Sequence, residues 1–288
     1  MHYSRRLQGS IQKGVSLDRA FQSQYLYTSI PQVRHMTVEL VCMGEVLVDI
    51  FEKTKRPGGA PLNVALLSSY LGTSSAIISA VGDDENGELI RTMVSNTDVV
   101  DGIAVVADAE TGYANVTLDE HNEPRFTLAE NAAYDQIPVN ENQSILAEHA
   151  SLLYVGTLAQ RYNKSRKAIH DEIISADGAV FYDANLREGI SDWKTIFTQT
   201  LSYISYLKLS EDELEAIAEL YDVASDNVPE QLFCEAEKLH TIFITKGKDG
   251  AQAMTRNDKH YMQEALAEDV VDTTGCGDAF CAGVINTI

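Results

Sequence analysis

Residues 272–283 read DTTGCGDAFCAG, and the rest of the chain is organised around this stretch. Small residues run to Gly277, an acid follows at Asp278, and Ala279, Phe280, Cys281, Ala282, Gly283, Val284 and Ile285 form an apolar run suited to a buried helix. The loop therefore feeds a helix N-terminus. The first N–H groups of a helix lack intrahelical acceptors and carry the positive end of its dipole, so such an end receives anions. Gly275 and Gly277 can take positive φ and let a phosphate reach the backbone with no Cβ in the way. Asp278 would be repelled by that phosphate, which suits a base better than a clamp. The plain structural alternative is a buried helix behind a glycine turn.

Outward from that stretch, composition sets limits. The chain has 288 residues, 44% hydrophobic and 23% charged, as expected for one large globular domain or two modest ones. No apolar run approaches the ~18 residues of a membrane span. A formal charge of −21 argues against nucleic-acid binding, and a polyphosphate must be attracted locally, by amides, a few cations and a metal ion. Cys42, Cys234, Cys276 and Cys281 show neither zinc-site nor disulfide spacing, which fits a reducing compartment. Residues 1–36 carry Arg5, Arg6, Lys13, Arg19 and Arg34 against the single acid Asp18. That composition suits a disordered basic leader, an upstream start ahead of Met36, or an organelle transit peptide in place of a cytoplasmic location.

From Thr37 short apolar runs alternate with helical patterns, the βαβ rhythm of a parallel sheet with helices on both faces. Val38–Met43 reads as a first strand, and Asp49 is placed at the carboxyl end of that apolar run, where open α/β sheets bind ligands. Pro57-Gly58-Gly59-Ala60-Pro61-Leu62-Asn63 opens a helix that stops at Gly72, with Pro61 in its first turn. Asn63 offers donors and acceptors suited to a polyhydroxy ligand. Tyr113–Leu118 and Arg125–Leu128 read as an inserted hairpin, either a lid or an edge decoration. Asp183, Asn185 and Arg187 cluster at the end of the strand Ala179–Tyr182, and Ser210 with Glu213 makes a capping box. Neither a P-loop nor a dinucleotide fingerprint is present.

GGAPLNVA at 58–65 and DTTGCGDAFCAGVI at 272–285, with MGEVLVD, AVGDDENG, DANLR, KLSEDEL and ITKGKDGA between or beside them, resemble the PfkB or ribokinase family of carbohydrate kinases, and within it fructokinases most. The resemblance implies a three-layer α/β/α sandwich, ribokinase-like, with a small β lid, over 37–288. It implies transfer of the ATP γ-phosphoryl to a sugar hydroxyl with Mg2+, and possible roles for a monovalent cation such as K+ and a homodimer formed through the lid. Asp278 matches the catalytic base, and the amides of Gly275, Cys276 and Gly277 the anion hole. Asp49, Gly59 and Asn63 match sugar-binding positions, Asn185 and Arg187 lie near substrate and phosphates, and Lys208, Thr245, Gly247 and Gly250 fall on the nucleotide side. Glu213 matches the acid that acts through the magnesium shell.

Departures from the family pattern carry their own expectations. Ile50–Pro57 is shorter than the segment that supplies lid strands in relatives, so a shortened lid is expected. The family pattern continues beyond the point where this sequence stops, ten residues after Asp278, which implies a C-terminally truncated domain. Cys276 replaces a small residue in the anion loop, where a helix N-terminus favours a thiolate and hence sensitivity to oxidation. Fructose is the leading substrate; ribose, 2-keto-3-deoxygluconate and nucleosides are rivals, and a non-catalytic relative that binds ligand or protein is the reading from another class.

Overall fold

The computed structural model describes residues 38–51, 54–118, 124–187, 189–266 and 273–288. The basic leader, the hairpin tip at 119–122 and Asp272 lie outside the described residues. The main sheet is built from nine strands, β1 (Leu40–Met43), β4 (Ser75–Gly82), β5 (Val100–Val106), β8 (Leu152–Gly156), β9 (Ala179–Asp183), β10 (Tyr206–Ser210), β11 (Thr241–Thr245), β12 (Ala251–Thr255) and β13 (His260–Gln263). Their order is β13-β12-β11-β10-β9-β8-β1-β4-β5. All neighbours from β5 to β11 are parallel, while β12 and β13 close the edge antiparallel. Runs such as LVCM and LLYVG are buried at every residue, as strands covered on both faces must be.

Side-chain alternation along β1 sorts the helices into two layers. Leu40 and Cys42 join a cluster with residues of α1 (Ala60–Tyr70), α2 (Glu85–Ser95) and α8 (Cys276–Ile285). Val41 and Met43 face the opposite cluster, built on Leu146 of α3 (Glu141–Glu148), Ile169 of α4 (Asn163–Ser175), Phe197 of α5 (Trp193–Leu201), Ile217 of α6 (Glu211–Tyr221) and Leu232 of α7 (Val228–Glu235). The three-layer sandwich follows directly. Helices α3 and α5 go beyond the sequence reading. The Asn140–Gln143 capping box announces α3, whereas α5 has no side-chain cap to mark its start.

A second, four-stranded sheet forms the lid, in the order β3-β2-β6-β7, from β2 (Leu47–Phe51), β3 (Thr54–Gly58), β6 (Gly112–Leu118) and β7 (Pro124–Leu128). Here the placement of Asp49 is corrected. It sits in the middle of β2 in the lid, not at the carboxyl end of the first main-sheet strand. The reason is Gly44, whose φ of +155° and close approach to Pro61 turn the chain out of the main sheet directly after β1. The short Ile50–Pro57 segment still supplies a lid strand, since β2 pairs with β3 from Leu47↔Gly58 to Phe51↔Thr54. The 113–128 hairpin is the other half of this lid.

Candidate active site

Helix α8 begins as the glycine pattern requires. Gly275 is its N-cap at φ +77°, a left-handed backbone that favours glycine, and it offers no side chain to the first-turn amides. The Cys276 N–H is used by the turn itself, donating to the Thr273 carbonyl at 3.1 Å. The Gly275 and Gly277 N–H groups have no acceptor among the described residues. Of the expected three-amide cradle, two groups are therefore open and the third is held by the chain. The Cys276 thiol is exposed at the same turn.

Asp278, the third residue of α8, is half-buried and turns toward α1. Its Oδ2 accepts from Asn63 Nδ2 at 2.7 Å. Asn63 is in turn placed by its own N–H, which donates to the Gly59 carbonyl at 2.9 Å in the first turn of α1. Gly59 caps that helix at φ +107°, with a missing Cβ that would stand 2.5 Å from the Glu45 carbonyl oxygen. The GGAPLNVA stretch thus delivers one side chain to Asp278. Burial raises the Asp278 pKa, Asn63 opposes that rise, Asp183 adds to it, and Arg187 and Lys208 oppose it. A carboxylate kept above its ordinary range by desolvation is a stronger proton acceptor.

The lid brings Asp49 to the same place. A Cβ on Gly58 would lie 2.7 Å from Asp49 Oδ2, so any other residue at the β3 end would push that carboxylate aside. Burial raises the Asp49 pKa; Arg187 opposes the rise and Asp278 adds to it, which sets these three groups in one neighbourhood. Glu45 belongs to it as well, though the sequence reading assigned it no role. It is 3% exposed, its Oε2 has no hydrogen-bond partner among the described residues, and burial raises its pKa to about 7. The signal was available in GEVLVD, an acid inside an apolar run.

The carboxyl ends of β9, β10 and β11 line up beside this centre through the pairings Lys208↔Asp183 and Ser210↔Thr245. Asn185 takes a φ of +40° in the loop after β9, and Arg187 is exposed two residues on. Thr245 donates to the Leu209 carbonyl at 3.4 Å, and Gly247 (φ +51°) and Gly250 (φ +97°) bracket the turn after β11. Lys208, expected to face nucleotide, is only 6% exposed and pairs with Asp183 at 3.1 Å. Glu213 fits a hydrated cation only at one remove. Its Oε1 accepts from the Leu186 N–H and its Oε2 from the Ser210 N–H, both at 2.7 Å, so both oxygens already serve the backbone. Magnesium would have to arrive with phosphate oxygens of its own.

This arrangement can hold an anion at a helix start, accept a proton beside it, and close a lid acid over a small polar ligand. Comparisons with known proteins identify the family. The pfkB family carbohydrate kinase model matches residues 28–288. "Probable fructokinase-6, chloroplastic" of Arabidopsis thaliana is 31% identical over 278 residues, covering 86% of this chain and 70% of that protein. A fructokinase of Klebsiella pneumoniae is 30% identical over 264 residues, covering 87% and 84%. Among solved structures, an uncharacterized sugar kinase from Pyrococcus horikoshii in complex with ATP superposes with a TM-score of 0.74 at 27% identity, over 85% of this chain and 83% of that one. Fructokinase from Xylella fastidiosa with bound ATP gives 0.77 at 24%, over 86% and 80%, a likeness of fold.

Proposed function

Because the chain belongs to the pfkB family of carbohydrate kinases, we propose that it transfers the γ-phosphoryl group of ATP to a sugar hydroxyl, with fructose as the substrate. The observation that carries this reading is the 2.7 Å bond from Asn63 to Asp278 Oδ2 beside the open Gly275 and Gly277 amides. Asn63 fixes one carboxylate oxygen and leaves Oδ1 to take the hydroxyl proton as the oxygen attacks. Phosphoryl transfer asks the protein mainly for positioning and charge stabilisation, and amides aimed at the transferring group supply the second. Asp49, Gly59 and Asn63 frame the sugar, Asn185 and Arg187 border the phosphates, and Thr245, Gly247 and Gly250 border the nucleotide. Magnesium bound with the nucleotide would neutralise phosphate charge.

Fructose is preferred on the names carried by the curated relatives. A 2-keto-3-deoxy sugar acid is the second choice, since Arg187 is exposed and has no ion-pair partner among the described residues to keep it from a substrate carboxylate. The test is a coupled ADP-release assay with magnesium over fructose, ribose, 2-keto-3-deoxygluconate and a nucleoside. The expected result is turnover with fructose above the others. Turnover confined to a different member reassigns the substrate, and ATP binding without turnover on any of them overturns the reading.

A further inference from the structure

Packing alone would favour an apolar side chain at residue 45, where the chain leaves β1 for the lid. Glu45 is 3% exposed and its Oε2 has no hydrogen-bond partner among the described residues. A buried polar oxygen without a partner destabilises a fold. The backbone around it is held from both sides. The Gly44 N–H donates to the Ile78 carbonyl at 3.2 Å, and the Gly44 carbonyl accepts from the Ser79 hydroxyl at 2.6 Å. The Glu45 carbonyl oxygen presses on Gly59, where a Cβ would stand 2.5 Å away. Gly59 opens the helix that carries Asn63 to Asp278. The segment that bears the Glu45 carboxyl is therefore anchored at the junction of lid and main sheet, beside the candidate base.

The groups around that carboxyl oppose one another. Asp278 on α8 and Asp183 on β9 disfavour its charge, and Arg187 in the loop after β9 favours it. Tyr134, in the helical turn Ala133–Gln136, and Tyr154 on β8 face it as well. Burial raises both phenols above their ordinary range, so they stay neutral between about pH 6 and pH 9. Arg187 is the one cation among these groups, and it is exposed and able to turn to a ligand. An anion arriving at the Gly275 and Gly277 amides adds negative charge beside Asp278 and draws Arg187 away from Glu45. Both changes favour the protonated acid. We propose that Glu45 is a proton acceptor linked to nucleotide binding: phosphate bound at the start of α8 makes the Glu45 carboxylate take up a proton from solvent, so that a buried charge is removed as the ligand's charge arrives. The kinase reading enters only through the identity of the anion, a nucleotide phosphate. An apolar residue could not respond in this way, which accounts for an acid where packing disfavours one. With its pKa raised to about 7 by burial, Glu45 exchanges this proton near neutral pH.

The proton is counted by calorimetry, titrating a non-hydrolysable ATP analogue with magnesium into the protein in two buffers of different ionisation enthalpy, Hepes and Tris. A rise of the Glu45 pKa from about 7 to about 8 on binding gives an uptake of roughly half a proton per nucleotide at pH ~7.5. It also makes the affinity nearly tenfold weaker at pH ~9 than at pH ~6. Glu45→Gln has nearly the same shape and no charge at any pH. It is expected to lose that uptake and that slope while binding the analogue as wild type does at pH ~6. Equal uptake in the two proteins assigns the proton to another group and overturns the proposal, as does a wild-type enthalpy that is the same in both buffers. If Glu45→Gln does not fold, the wild type decides. Uptake that peaks near pH ~7.5 supports Glu45, and uptake that grows steadily toward pH ~5 belongs to the other acids and overturns the proposal. Nucleotide binding with this uptake but no turnover of any sugar sinks the substrate reading alone. Absence of nucleotide binding overturns both.

Discussion

Helices α6 and α8 carry an acid at the same position, Glu213 and Asp278, each the third residue of its helix. Their caps differ in kind. Ser210 caps α6, its hydroxyl accepts from the Glu213 N–H at 3.2 Å, and Glu213 reaches back to the Ser210 N–H at 2.7 Å. The box closes on itself, and the other Glu213 oxygen ties down the Leu186 amide. Gly275 caps α8 with no side chain, so no box forms. Asp278 turns to Asn63 instead, and the Gly275 and Gly277 amides stay open. An acid at the same helix position is tied to the backbone in one helix and turned toward a neighbouring helix in the other, and the two capping residues differ accordingly.

The hardest blow to this contrast comes from Asp278→Asn. Activity is expected to fall ~10²- to 10⁴-fold, the usual contribution of a general base, with a urea midpoint close to wild type. Near-full turnover would put Asp278 on the same structural footing as Glu213. Glu45 is the third acid of the region and has neither a cap nor a ligand pocket to justify it. Its folded pKa of about 7 lies above the value in an unfolded chain, so the folded protein holds the extra proton between those two values. Stability linked to Glu45 is therefore fully present below the unfolded pKa and is lost as pH rises through 7. Glu45→Gln abolishes that loss, and its stability advantage over wild type is expected to grow by about 3 kcal/mol from pH ~4.5 to pH ~7.5 in urea titrations. A gap that stays constant with pH would mean that the Glu45 carboxyl is solvated. Ser210→Ala has the smallest expected effect, about 1 kcal/mol of stability from loss of a helix cap. No change in the urea midpoint would show that the box on α6 carries no weight and that the two helix starts are more alike than their geometry suggests.

Much of the site was legible because its residues speak locally. Glycines before an apolar run announce a helix that opens toward an anion, Pro61 after Gly58-Gly59 announces another, and Ser210 with Glu213 spells out a box. Residues that depend on distant partners were misread or missed. Asp49 follows an apolar run that fits either sheet equally well, and only the turn at Gly44 against Pro61 sends it into the lid. Lys208 reads as a cation on the nucleotide side, and only its pairing with β9 shows the Asp183 carboxylate beside its ammonium. The Cys276 amide counts toward an anion cradle until the tight turn back to Thr273 claims it.

The sequence by itself determined the α/β order, the two glycine-opened helices, the candidate base and the family, since each rests on residue type and near-neighbour spacing. Tertiary structure alone decided what those acids do. It sets Asn63 on Asp278 across 215 residues, Asp183 on Lys208 across adjacent strands, and Glu45 in the interior with no hydrogen-bond partner for its Oε2 among the described residues. The physical reason is that the strength of a carboxylate as base, cap or counter-ion depends on which donors and charges surround it in a low-dielectric interior, and sequence does not specify those neighbours.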